Sequence, residues 1–260
     1  MDTVTSRDGT VLAYDRLGDG PPVVLISGGS VDRSSNAGLA EQLADRHTVY
    51  NYDRRGRGDS GDTPPYAIER EIEDIAAVIE VAGGSAHLYG SSSGAGLGMH
   101  AAATGLSVVK LALWEPPYSV NGRPDLPDDT ASVYRELVSS GRRGDAAEYF
   151  MAKVVGMPPE FVAQARQAPW WPQQEAIAHT LAYDATIMGD YTLPVEIAKA
   201  ITVPTLIMVG GASFGFMAET AEALARLIPD AEWATLEGQA HNVDPAALAP
   251  VLERFFAAPA

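Results

Sequence analysis

A run of three serines enclosed by glycines is the part of this sequence most suggestive of chemistry. Residues 88–96 read Leu-Tyr-Gly-Ser-Ser-Ser-Gly-Ala-Gly, so Gly90 and Gly94 lie two positions on either side of Ser92. When such a stretch joins a strand to a helix, the turn forces its middle residue into a strained backbone conformation and exposes that side chain above the sheet. Ser92 is therefore the candidate nucleophile, although glycine and serine are also common in turns that only connect elements.

The histidines are the candidate bases, because a serine hydroxyl is a weak nucleophile at neutral pH and imidazole has a suitable pKa. The chain has five of them. His241 follows the last predicted strand, in a loop that opens the terminal helix, and it is the candidate base; a capping or packing role is the alternative. The other four have positions more typical of surface or core residues: His47, His87, His100 and His179.

The apolar pattern of the chain alternates between strands and helices. Residues 23–26, 86–89 and 108–114 are short apolar runs typical of buried strands, whereas residues 68–81 have isoleucines at helical spacing. An Asp-Gly pair at residues 8 and 9 predicts an opening hairpin. This alternation predicts an α/β fold, a doubly wound and mostly parallel eight-stranded sheet with helices on both faces.

One long region departs from this alternation. Between Pro116 and about residue 194 the sequence has proline-rich loops and amphipathic segments but no convincing strand. An insertion after one strand of an open parallel sheet lies at the carboxyl edge, where such folds bind ligands. We therefore predict a core domain of residues 1–115 and 194–260, with residues 116–193 forming a helical lid inserted after strand 6.

The predicted lid is rich in aromatic and thioether side chains. Met151, Met157, Trp170 and Trp171 either line the apolar roof of a substrate pocket or form the small core of the lid itself. Both interpretations fit the sequence, and the four residues are the candidate substrate pocket.

The composition excludes several classes of protein. The 260 residues carry a formal net charge of −16, which repels nucleic-acid phosphates and anionic lipid surfaces. The chain has no cysteine, which excludes a thiolate nucleophile, a disulfide and a zinc site built on sulfur. Because neither a signal-peptide pattern nor a membrane-spanning stretch occurs, we expect a cytoplasmic protein. Its expected partner is a small-molecule substrate, with no nucleic acid, membrane, metal or cofactor; the sequence does not set the oligomeric state.

Four motifs in a fixed order resemble those of the α/β-hydrolase superfamily over nearly the whole chain. They are Ser27-Gly28-Gly29, the stretch Asp-Arg-Arg-Gly-Arg-Gly-Asp-Ser at residues 53–60, the turn at residues 90–94, and Gly238-Gln239-Ala240-His241. The resemblance implies that His241 is the base and that the backbone N–H groups of Gly29 and Ser93 stabilise an oxyanion. The chain differs from the usual pattern at Ser27, where histidine is common, and at Ser91, where histidine, tyrosine or glutamine is common.

The acid that would orient the histidine is not at its usual place. The family commonly has an aspartate or glutamate after the strand that is predicted here at residues 205–209, but this chain has Ser213 near that position. Some relatives have the acid at the end of the preceding strand, which here is Glu115. Glu115 is the candidate orienter; a structural ion pair, a hinge role and a bare Ser-His dyad are the alternatives. Asp244 is better placed to cap the terminal helix.

The nucleophile narrows the chemistry that the resemblance implies. Epoxide hydrolases and haloalkane dehalogenases of this superfamily use an aspartate at the position of Ser92, so acyl transfer is expected instead. We predict a serine hydrolase that cleaves an ester, thioester or lactone of a small, largely apolar molecule. Peracid formation and cleavage of a carbon–carbon bond in a diketone fit the same groups, and the sequence does not separate these reactions. The alternative is a non-hydrolytic member of the fold, either a ligand-binding protein or a biosynthetic lyase or cyclase.

The arginines at positions 54, 55 and 57 are expected to hold their loop through ion pairs and not to bind phosphate.

Overall fold

The central sheet of the protein has eight strands. The computed structural model describes residues 1–258. The strands are β1 (Asp2–Thr5), β2 (Val11–Leu17), β3 (Pro22–Ile26), β4 (Thr48–Tyr52), β5 (Ala86–Ser91), β6 (Val108–Trp114), β7 (Thr205–Gly210) and β8 (Ala231–Leu236). Their order is β1-β2-β4-β3-β5-β6-β7-β8, in which β2 pairs antiparallel with β1 and β4 and all other pairs are parallel. The predicted eight-stranded, mostly parallel sheet is confirmed.

Eleven α-helices accompany the sheet in the described part of the chain. They are α1 (Ala37–Leu43), α2 (Ile68–Val81), α3 (Ser93–Ala103), α4 (Thr130–Ser139), α5 (Arg143–Tyr149), α6 (Pro159–Ala165), α7 (Trp171–Ile177), α8 (Leu181–Met188), α9 (Val195–Ala200), α10 (Gly215–Leu227) and α11 (Pro245–Ala257). Among residues 1–258, no helix has both the length and the apolar character needed to cross a membrane.

Helices cover both faces of the sheet, because side chains alternate between the faces along each strand. In β3, Val23 and Leu25 belong to one hydrophobic cluster and Val24 and Ile26 to another. The first cluster includes buried residues of α1 and α11, and the second includes those of α2, α3 and α10. Burial of both faces explains why the central strands read as continuous apolar runs in the sequence.

Helix α2 has the bounds that its apolar spacing predicts, but its buried face also carries two acids. Glu71 and Asp74 are 1% and 0% exposed. Arg54 Nε lies 2.7 Å from Glu71 Oε2, and Arg55 Nε lies 2.7 Å from Asp74 Oδ2. In each pair a second nitrogen of the guanidinium donates to the other carboxylate oxygen, so the buried acid has an opposite charge and two hydrogen bonds. The expected ion-pair role of these two arginines is thereby confirmed.

Residues 116–193, called here the inserted segment, lie between β6 and β7 and contain helices α4 to α8. The structure describes this segment in full, and no strand within it joins the sheet. Helices α4, α5 and α8 share a hydrophobic cluster around Tyr134, Ala146 and Ala182. Helix α8 also packs on α3, where Gly96 approaches the side chain of Met188. The inserted segment therefore lies over the end of the sheet at which β5 meets α3.

Candidate active site

Ser92 lies in a tight turn between β5 and α3. Its backbone has φ 55° and ψ −125°, a left-handed conformation that is strained for a residue other than glycine. Its N–H donates to the carbonyl of Trp114 at 2.9 Å. A Cβ atom on Gly90 would lie 2.4 Å from the carbonyl oxygen of Gly94, and one on Gly94 would lie 2.5 Å from that of Ile26. Glycine is therefore required at both flanking positions, and the turn has the geometry that its sequence predicts.

His241 is hydrogen-bonded to Glu115. His241 Nδ1 lies 2.5 Å from Glu115 Oε2, and the two groups come from positions far apart in the chain. The indole N–H of Trp114 donates to the carbonyl of His241 at 2.9 Å and helps to hold its loop. A carboxylate that accepts a bond from Nδ1 selects the tautomer in which Nε2 is the free acceptor. Nε2 is thus the ring nitrogen available to Ser92, and both residues line the same cavity.

Glu115 is itself fixed by its surroundings. Its side chain is fully buried, and its backbone has a positive φ of 44°. Oε1 accepts the N–H of Gly210 at 2.8 Å, and Oε2 accepts the hydroxyl of Ser213 at 2.8 Å. Ser213 stands where the resemblance implies an acid, and its hydroxyl instead donates to Glu115, a contact that the sequence pattern does not indicate. Asp244 caps α11 by accepting the N–H of Ala246, as the sequence predicts.

The loop after β3 lies against the turn that carries Ser92. A Cβ atom on Gly28 would lie 3.1 Å from Ser92 Cβ, and one on Gly29 would lie 3.5 Å from Ser93 Oγ. Gly29 and Ser93, the residues expected to supply oxyanion donors, both line the cavity beside Ser92. Ser93 begins α3, and the first N–H groups of an α-helix have no acceptor within the helix itself.

The cavity above Ser92 and His241 has a volume of about 600 Å³, which suits a small molecule. Most of its wall is apolar. The larger apolar side chains that line it include Leu39, Phe150, Val154, Met157, Met188, Phe214, Phe216, Met217, Val243 and Leu248. A substrate carbonyl at Ser92 would therefore have hydrophobic groups around the rest of the molecule.

Three of the four residues expected to form the substrate pocket lie elsewhere. Met157 lines the cavity, but Met151, Trp170 and Trp171 do not. Met151 and Trp171 are buried in a separate cluster of the inserted segment with Val162, and Trp170 is 45% exposed. The prediction was wrong for these three because a helical apolar face does not reveal whether it meets a ligand or a neighbouring helix. The cavity instead receives Phe214 and Phe216 from the start of α10.

A buried ionic cluster adjoins the Ser93 side of the cavity. Asp184 of α8 accepts bonds from Arg54 Nη1 at 2.8 Å, from Arg57 Nη2 at 2.8 Å and from Ser93 Oγ at 2.8 Å. Burial by itself would raise the pKa of Asp184, but the two guanidinium groups outweigh burial and hold its pKa below the usual range. Asp184 is thus an ionised carboxylate in a cavity wall. The sequence does not indicate that Asp184 belongs to the site, because it is 127 positions from Arg57 in the chain.

The remaining four histidines are not among the residues that line the cavity in the described part of the chain. His47 and His87 pack on Phe256 of α11, with His87 stacked at a ring-centroid distance of 4.6 Å. His100 contacts the carbonyl of Ile187, and His179 contacts Arg143. Their placement agrees with the non-catalytic roles expected for them.

Comparison with known proteins identifies the family. The sequence model of the alpha/beta hydrolase family matches residues 23–251. The fold closely resembles the crystal structure of an alpha/beta hydrolase from Sphaerobacter thermophilus, with 55% identity, a TM-score of 0.91 and coverage of 98% of this chain and 100% of that one. A thermophilic esterase from Thermogutta terrifontis is 25% identical with a TM-score of 0.76, and 98% of this chain and 97% of that one are covered.

Two curated relatives are similar in sequence. A non-heme haloperoxidase of Rhodococcus erythropolis is 27% identical over 94% of this chain and 93% of its own. The uncharacterized hydrolase YraK of Bacillus subtilis is 33% identical, but that match spans only 35% of each chain. With the family match over most of its length, this chain belongs to the α/β-hydrolase family.

Proposed function

We propose that this protein is a serine hydrolase that cleaves an ester, thioester or lactone of a small, largely apolar molecule through an acyl-enzyme. The observation that carries the proposal is the 2.5 Å contact between His241 Nδ1 and the buried carboxylate of Glu115. It leaves Nε2 available in the cavity that Ser92 also lines. The esterase among the structural relatives, 25% identical, supports the same class of reaction.

The reaction has two halves that use the same groups. Ser92 Oγ attacks the substrate carbonyl while His241 Nε2 takes the hydroxyl proton, and the N–H groups of Gly29 and Ser93 stabilise the oxyanion. The tetrahedral intermediate collapses as imidazolium returns the proton to the leaving alcohol or thiol. Water, deprotonated by His241, then attacks the acyl-enzyme and releases the acid and free Ser92. Glu115 holds the imidazole in its orientation and stabilises the imidazolium.

The proposal is tested with a series of p-nitrophenyl esters of increasing acyl length. We expect Ser92-dependent turnover that improves from acetate toward longer apolar acyl groups, because the cavity wall is mostly apolar. Ser92→Ala should lower kcat on the order of 10⁶-fold, as expected when a triad nucleophile is removed. Ser91→Ala is the matched control and should keep most of the activity. A folded wild-type protein that hydrolyses no ester, thioester or lactone would favour a non-hydrolytic binding protein, lyase or cyclase.

Perhydrolysis is a second candidate activity, supported by the similarity to a non-heme haloperoxidase over 94% of the chain. In this reaction acetic acid acylates Ser92 with loss of water, and hydrogen peroxide attacks the acyl-enzyme and releases peracetic acid and free Ser92. The peracid then oxidises bromide to hypobromous acid, which brominates the acceptor, and acetic acid is regenerated. Wild-type protein with acetate, peroxide and bromide should then brominate monochlorodimedone, and Ser92→Ala should not. Bromination at the same rate by both proteins would count against this activity.

A further inference from the structure

The peptide unit between Gly28 and Gly29 is held from behind by Arg57. Arg57 Nη1 donates to the carbonyl oxygen of Gly28. In a trans peptide the C=O and N–H groups of one unit point in opposite directions. A donor that fixes the carbonyl of Gly28 therefore also fixes the direction of the Gly29 N–H. A bond to the carbonyl also polarises the unit and strengthens that N–H as a donor.

Arg57 is in turn fixed by a carboxylate of the inserted segment. It is 1% exposed, and its Nη2 lies 2.8 Å from both carboxylate oxygens of Asp184. The same carboxylate accepts the hydroxyl of Ser93 at 2.8 Å. Asp184 thus binds the side chain of Ser93, one candidate oxyanion residue, directly. It is linked to the other, Gly29, through Arg57, which binds the carbonyl of the same peptide unit.

The positive charges of two arginines offset the negative charge of Asp184, so this carboxylate can lie near a developing oxyanion. A Cβ atom on Gly29 would lie 3.1 Å from Asp184 Oδ2, so the carboxylate is close to the donor loop. Arg54 and Arg57 both bind Asp184, and Arg54 also binds Glu71, which gives two cations and two anions in the cluster. Loss of either guanidinium would leave excess negative charge beside the carbonyl oxygen of a bound substrate.

We propose that Arg57 and Asp184 are positioning residues that orient the oxyanion donors, so that a helix of the inserted segment completes the oxyanion hole. The inference rests on the proposed hydrolase function. Neither side chain needs to touch the substrate, since Arg57 acts through the peptide unit of Gly28 and Gly29. Asp184 acts through Arg57 and through the hydroxyl of Ser93.

The test compares Arg57→Gln with Arg55→Gln. Arg55 is a matched control because it is equally buried and has bidentate bonds to Asp74, but its other bonds go to Asp8 and to the carbonyl of Arg70. For each variant, kcat and KM are measured with the best ester, and Ki with a trifluoromethyl ketone, which forms a tetrahedral adduct with the serine.

The positioning role predicts a specific pattern. Arg57→Gln should lower kcat and inhibitor affinity together by roughly 10- to 100-fold with little change in KM, because an oxyanion interaction belongs to the transition state. Arg57→Lys should recover part of the loss, since one ammonium can bond either Gly28 or Asp184 but not in the same fork geometry. Arg55→Gln should lower the melting temperature while kcat and Ki stay within about threefold of wild type.

Several results would overturn the inference. It is wrong if folded Arg57→Gln keeps wild-type kcat and Ki, or if Arg55→Gln loses both to the same extent. If Arg57→Gln does not fold, the same measurements are made on Arg57→Lys and Asp184→Asn. The inference is then wrong if both variants keep the kcat and Ki of the wild type. Wild-type protein without Ser92-dependent turnover would overturn the proposed function itself, and the inference with it.

Discussion

At the residue scale, Glu115 and Ser213 together occupy the acid site of the proposed triad. Glu115 directly follows β6, whereas the resemblance to the family implies an acid after β7. The two strands are adjacent and parallel, with Leu113 beside Ile207 and Trp114 beside Met208, so their carboxyl ends lie side by side. A glutamate that follows β6 therefore reaches His241, and Ser213, in the loop after β7, donates its hydroxyl to that glutamate.

Substitution of Glu115 tests this assignment. Glu115→Gln should lower kcat by roughly 10² to 10⁴ with little change in KM, because an amide cannot stabilise the imidazolium. Adding Ser213→Asp to that variant should restore part of kcat, because the new carboxylate lies at the usual acid position near the same imidazole. Steady-state ester hydrolysis by the wild type and both variants measures the effect. Full activity in Glu115→Gln would instead indicate a Ser-His dyad.

At the element scale, the parallel strands gather the site at one edge of the sheet. The turns after β3, β5 and β6 and the loop after β8 carry Gly29, Ser92, Glu115 and His241. Gly29, Ser92 and His241 belong to motifs that could be recognised in the sequence, whereas Glu115 was a candidate only through its place beside the predicted strand. The pocket could not be predicted in the same way. Asp184 and Phe216 lie on α8 and α10, and the apolar spacing of a helix gives a buried face but not the identity of the neighbour.

The inserted segment gives a prediction that separates stability from substrate binding. Trp171→Ala should lower the free energy of unfolding by roughly 3 to 5 kcal/mol, because the side chain is buried among Met151 and Val162. Met157→Ala should instead raise KM for long apolar esters more than it lowers kcat, since Met157 lines the cavity. Exposed Trp170→Ala is the control, with little effect on either quantity. Urea unfolding of the three variants gives the free energy of unfolding, and ester kinetics give KM and kcat. A raised KM in a Trp171→Ala protein of unchanged stability would contradict the separate roles of Trp171 and Met157.

At the scale of the whole molecule, acid stability depends on histidines buried between the sheet and α11. Burial, reinforced by the nearby charges of His47 and Lys110, lowers the pKa of His87 to about 4. The unfolded chain therefore takes up a proton on this residue as the pH falls through about 6.5, while the folded chain does not. The contribution of His87 to stability is complete above that pH and is lost progressively from about pH 6.5 to about pH 4.

Replacing His87 tests this dependence. Wild-type protein should lose roughly 1 to 2 kcal/mol of unfolding free energy between pH 7 and pH 5 through His87 alone. His87→Phe retains an aromatic ring beside Phe256 but has no group to protonate at this position. Its loss of unfolding free energy between pH 7 and pH 5 should therefore be smaller than that of the wild type by the same roughly 1 to 2 kcal/mol. Urea unfolding at the two pH values gives the difference for each protein, so a packing effect common to both pH values cancels. An identical pH dependence in the two proteins would mean that His87 does not titrate in this way.

The most direct test of the central claim is the site at which an activated phosphonate attaches to the protein. Wild-type protein is treated with a fluorophosphonate, digested and mapped by peptide mass spectrometry. Because only a serine activated by a base reacts readily, we expect a single adduct on Ser92, and we expect Glu115→Gln to slow its formation. A folded, ester-hydrolysing protein with its adduct on Ser91 or Ser93, or with no adduct at all, would contradict the assignment of Ser92 as the nucleophile.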